Sequence, residues 1–138
     1  MIKQDVLYQK INSIQNYLQR IHTTVGNDPQ RLHEWDVQDI VVLNLQRATQ
    51  LTMDLASYVV ACYRLGVPQS LKEVFSLLEH NHFIDHTICE KMQKMVGFRN
   101  IAVHAYQTLD IEILKSVVIH HLKDFEVFYS AVLKKIAS

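Results

Sequence analysis

Apolar residues at Leu7, Ile11, Ile14, Leu18, Ile21 and Val25 recur at alternating steps of four and three, which places them on one stripe of a helix. The pattern predicts a first helix ending near Val25, broken by Gly26-Asn27-Asp28-Pro29. Asp36 is placed to cap a second helix, with Trp35 and Ile40 spaced as a hydrophobic staple around it. Nothing interrupts that helix until about Arg64, and Leu43, Leu51, Leu55 and Val59 are its expected core positions. Gly66 and Pro68 end it. Ser70-Leu71-Lys72-Glu73 has the capping-box spacing for a short third helix reaching about Glu79. Asp85 can cap a fourth that carries Ile88, Met92, Met95 and Val96. Asp110 can start a fifth, with a stripe of Ile111, Leu114, Val118, Leu122, Phe125, Tyr129, Val132 and Ile136.

Four long helices and one short one, joined by short connections, predict an all-α, up-and-down antiparallel bundle formed by one domain over residues 1–138. Composition agrees: three glycines and two prolines are too few for the turns of a many-stranded fold, and 49% apolar residues suffice for one core. Fourteen basic residues balance fourteen acidic ones, so attraction to a polyanion would have to come from a local patch. Cys62 and Cys89 lie in apolar helical patterns without CxxC spacing, as expected of buried thiols in a reducing compartment. The N-terminal residues have neither the core of a signal peptide nor a membrane span, which predicts a cytoplasmic protein.

The fourth helix carries the candidate chemistry. Projected at about 100° per residue, Arg99 falls in line with Met92, Met95 and Tyr106, on an apolar stripe. A guanidinium there must meet a carboxylate such as Asp54, reach a cleft or face another subunit. His104 follows five residues later, about 140° round an ideal helix, so either the helix ends or distorts or the site is shared between two chains. Gly97, lacking a side chain, permits close approach of a second backbone. By spacing alone, a capping histidine, an ion-paired arginine and a packed tyrosine explain these residues more simply than catalysis does.

Other polar groups add less. His82, His86 and Glu90 are four residues apart, with Cys89 close by, but Asp85 marks the helix start and leaves His82 outside it, so no metal site is predicted. His120-His121 reads as a boundary between helix faces rather than a ligand pair. Lys91 and Lys94 lead into Arg99, and Arg47 sits midway along the second helix. These three can supply a basic lining for RNA, although solvated side chains explain the two lysines more simply and Arg47 about as simply.

The run Arg99-Asn100-Ile101-Ala102-Val103-His104-Ala105-Tyr106 reads R-N-x-x-x-H-x-Y and resembles the R-x4-H-x-Y signature of the HepT-like branch of HEPN proteins. The preceding residues 91–98 and the block 41–48 on the second helix are also similar to that branch. The resemblance implies a two-fold homodimer acting as a metal-independent endoribonuclease, without a cofactor. It implies the toxin of a toxin-antitoxin pair whose antitoxin is a small nucleotidyltransferase. Arg99 and His104 would be catalytic, Asn100 would position a phosphate or the imidazole, and Tyr106 would be the site where the partner attaches AMP. The chemistry is compatible, because RNA brings its own nucleophile in the 2′-hydroxyl. A non-catalytic helical adaptor, or a nucleotide-binding partner of a nucleotidyltransferase, is the competing expectation.

Overall fold

The computed structural model describes the backbone of residues 2–104 and 111–138, and the side chains of residues 2–99 and 111–138. Helix α1, Gln4–Val25, buries Leu7, Ile11, Ile14, Leu18, Ile21 and Val25, the stripe that the periodicity predicts. It stops at Gly26, whose φ of 62° favours glycine and whose N–H donates to the His22 carbonyl at 2.9 Å.

The next connection differs from expectation. Pro29–His33 forms a 3₁₀ turn, started by the Asp28 carboxylate accepting from the Gln30 N–H at 3.0 Å. Leu32 of this turn is fully buried. Helix α2 then runs Trp35–Cys62, with Glu34 rather than Asp36 at its cap and no capping bond from that side chain. Trp35 is 81% exposed and Ile40 43% exposed, so the predicted staple is absent; the apolar residue that the connection buries is Leu32.

Within α2, Leu55 and Val59 are buried as expected and Leu51 is partly buried, but Leu43 lies outside the core at 45% exposure. The buried set is wider than one stripe and includes Val37, Val41, Leu45, Ala48 and Met53. Thr49 and Thr52 join it because their hydroxyls donate to the Leu45 and Ala48 carbonyls at 2.8 Å each. Helix α3, Leu71–His80, has the predicted cap but not the full box: Ser70 Oγ accepts from the Glu73 N–H at 3.2 Å, while the Glu73 carboxylate accepts from the N–H of Gln69, one residue before the cap, at 3.1 Å.

Helix α4, His86–His104, begins where Asp85 Oδ1 accepts from the Ile88 N–H at 2.8 Å. The expected fifth helix is two, α5 at Ile111–His120 and α6 at Leu122–Ala137. His121 breaks the chain with φ −121° and ψ −3°, a conformation held by Asp124, whose Oδ2 lies 2.9 Å from His121 Nδ1.

Every regular element among the described residues is helical. Helix α1 lies along α2; α4 packs against α2, α3 and α6; and α5 rests on the 3₁₀ turn and on α6. Phe75 and Phe128 meet edge-on in the core at 5.5 Å and 75°. No helix among the described residues is long and apolar enough to cross a membrane.

Candidate functional site

Met92 and Met95 anchor α4 in the core, and the next position of that stripe, one turn on, is Arg99. Arg99 is half-buried and has no ion-pair partner among the described residues. Asp54, the acid that could have neutralised it, instead accepts from Gln50 Nε2 at 3.0 Å on the surface of α2. A half-buried, unpaired guanidinium retains its capacity to bind an anion from outside the chain.

The backbone stays helical through His104, the last residue of α4. On an ideal helix, Arg99 and His104 lie about 140° apart round the axis and about 7.5 Å apart along it, and so share no face. The side chains of Asn100 and His104, and the whole of Tyr106, lie outside the described residues. At Gly97, a Cβ would meet nothing within 4 Å, so the backbone there borders open space.

The three residues suggested as an RNA lining have different environments. Lys91 Nζ lies 3.6 Å from Asp124 Oδ1, across the gap between α4 and α6. Lys94, one turn on, is exposed and unpaired among the described residues. Arg47 is exposed, with its guanidinium carbon 5.8 Å from the centre of the Tyr17 ring, a weak cation-π contact.

Sequence reasoning missed Asp124. Its side chain is only 8% exposed and has two neighbours with basic nitrogens, Lys91 and His121. The available signal was a carboxylate directly before the stripe residue Phe125 and three residues after a histidine.

The histidines near the start of α4 are accounted for by local structure. His86 bridges Glu79, at 3.1 Å, and Glu90, at 3.0 Å. The hydrogen bond that His86 donates to Glu79, with the charges of both acids, raises the His86 pKa, and the same bond lowers that of Glu79. Burial, reinforced by Glu79, pushes the Cys89 thiol up to about 11. His82 turns the chain at φ 65° and stands apart from this group, and no metal-binding cluster occurs among the described residues.

Comparison with known proteins places this geometry in context. Residues 14–132 match the family described as ribonuclease HepT-like. The chain is 40% identical over 128 residues to the mRNA nuclease HepT of Shewanella oneidensis, covering 93% of this chain and 96% of that protein. It superimposes with a TM-score of 0.88 and 39% identity on a tri-AMPylated Shewanella oneidensis HEPN toxin in complex with MNT antitoxin, covering 94% of this chain and 98% of that one. A toxin-antitoxin crystal structure with AMP-PNP gives the same TM-score at 38% identity, again covering 94% of this chain and 98% of the other.

Proposed function

This chain belongs to the HepT-like ribonuclease family, and from that membership we propose that it is the endoribonuclease toxin of a toxin-antitoxin pair. The reading of the site rests above all on Arg99: a half-buried guanidinium with no acid beside it among the described residues, at the head of the R-N-x-x-x-H run of α4. Its planar fork can hold two oxygens of a phosphate and offset the charge that develops on them during cleavage.

His104 completes the chemistry. Its imidazole takes the proton of the 2′-hydroxyl, the resulting oxyanion attacks the adjacent phosphorus, and the P–O5′ bond breaks. The departing 5′-oxygen takes up a proton, and the upstream fragment ends in a 2′,3′-cyclic phosphate. Asn100 follows Arg99 in the motif and holds the phosphate or the imidazole through its amide. Each group here acts on RNA's own nucleophile, so the reaction requires no metal or cofactor.

Because Arg99 and His104 occupy different sides of one helix, a composite site is favoured, in which the motifs of two chains converge across a two-fold axis. The open space beside Gly97 is compatible with such an approach. Inhibition follows the same logic: a nucleotidyltransferase antitoxin places AMP on Tyr106, and the added phosphate competes for Arg99. A cytoplasmic location is consistent with the two free cysteines.

The substrate itself provides the test. Purified protein should cleave single-stranded RNA in the presence of chelator and leave the same oligonucleotide intact when every 2′-hydroxyl is replaced by hydrogen. Equal cleavage of the deoxy strand would remove the 2′-hydroxyl mechanism. Co-expression with the antitoxin should raise the intact mass by whole AMP units, and Tyr106→Phe should abolish that increase; an unchanged increase would move the modification elsewhere.

A further inference from the structure

A cavity of about 340 Å³ opens beside the catalytic half of α4, between that helix and the α5–α6 corner. Its walls are apolar, formed by Met95, Phe98, Ile113 and Val117. Its polar groups are Lys91, Lys94, Ser116, His121 and Asp124. Phe98 directly precedes Arg99 in the chain, so the cavity adjoins the helix turn that carries the motif.

Asp124, almost fully buried, holds His121 Nδ1 at 2.9 Å and Lys91 Nζ at 3.6 Å. An ionised carboxylate only accepts hydrogen bonds, so Nδ1 carries a proton and fixes the imidazole tautomer. His121 Nε2 is then left as an acceptor while the ring is neutral, and no hydrogen bond reaches it among the described residues. Lys94 adds a cation without a partner among the described residues. Lys91 and Asp124 offset each other, so Lys94 leaves one uncompensated positive charge at the rim of an apolar cavity.

We propose that this cavity is a nucleotide subsite of the RNA-binding surface, taking the base of a residue flanking the scissile phosphate while Lys94 takes that residue's phosphate. The inference deepens the ribonuclease reading and rests on it. A base presents a flat apolar face to Phe98 and Met95 and hydrogen-bonding edges to His121 Nε2 and the Asp124 carboxylate. Lys91, tethered to Asp124, neutralises the carboxylate and keeps it from repelling the backbone phosphate. The flanking nucleotide is thereby held, and the scissile phosphate is delivered towards Arg99.

The test measures RNA binding by the full-length chain carrying His104→Ala to stop cleavage, using a fluorescent single-stranded RNA. Adding Lys94→Gln, a substitution at an exposed site, should weaken binding several-fold and reduce the slope of log affinity against log salt by about 0.7, the loss of one single-strand phosphate contact. Moving a single abasic residue along the RNA should reveal one position where loss of the base costs about tenfold, and Phe98→Ala should abolish that position's sensitivity. Parental affinity and slope in Lys94→Gln, or an abasic scan without a sensitive position, would overturn the subsite. So would a Lys94→Gln protein that binds RNA normally but has lost affinity for the antitoxin, since the surface would then serve a protein. The ribonuclease reading is tested separately by whether the parent chain, with His104 intact, cleaves RNA.

Discussion

At the scale of single residues, Arg99 has no acid beside it among the described residues, whereas Glu79, His86 and Cys89 form a cluster that satisfies itself. The pH dependence of this cluster follows from its shifts. Raising the His86 pKa stabilises the fold below the imidazole's ordinary value near 6.5, and the contribution disappears as pH rises through the raised value. Lowering the Glu79 pKa stabilises above the ordinary carboxylate value, and that contribution disappears as pH falls through the lowered one. The pair is therefore strongest in mildly acidic solution, between the two. Titration by NMR should place His86 above an unperturbed histidine, and Glu79→Gln should bring it back down.

Cys89 gives a second residue-level prediction. With its pKa at about 11, only about one thiol in a thousand is thiolate at pH 8, and the side chain is buried as well. Iodoacetamide should label the native protein at half-buried Cys62 and reach Cys89 only after unfolding. Prompt modification of both would show that α4 opens more readily than its packing implies.

At the scale of elements, the sequence was most readable where one face of a helix decides everything. Helix α1 has a single apolar stripe, and every residue of it is buried. Ser70 and Asp85 were legible because a short side chain three residues ahead of a helical N–H has one geometry available. Ser70→Ala should cost about 1 kcal/mol in chemical denaturation; an unchanged midpoint would mean that Glu73 and solvent suffice at that end.

Helix α2 was harder to read because it contacts more than one neighbour, so its buried face is broad and Leu43 cannot be told from Val42 by periodicity. Thr49 and Thr52 also escape a count of apolar residues, since each becomes core-compatible only by bonding its own helix. The break at His121 escaped for the reverse reason. Leu122, Phe125 and Tyr129 continue the spacing of Leu114 and Val118, and the His121–Asp124 interaction that turns the chain leaves that rhythm intact.

At the scale of the whole molecule, the core and the site make separable demands. Phe128 is fully buried against Phe75 between α3 and α6, and Phe128→Ala should lower stability by about 3–5 kcal/mol, measured by denaturant titration. The proposed site makes a different demand: α4 is helical through His104, and on an ideal helix that residue and Arg99 occupy different sides, the basis of the two-chain proposal. Four motif residues were readable in the sequence as candidates, but spacing alone could not assign them a role. Their meaning came from the family resemblance, because Arg99 and His104, five residues apart, share no single helical stripe that periodicity could pick out.

The most direct measurement is the rate at which a defined RNA is cut, in chelator, by the purified protein and by His104→Ala, with helical content and elution volume matched. The parent should cut the RNA, and the variant should lose at least about a hundredfold in rate, the scale of one general acid-base group. Cleavage by His104→Ala at the parental rate would rule out His104 as that group.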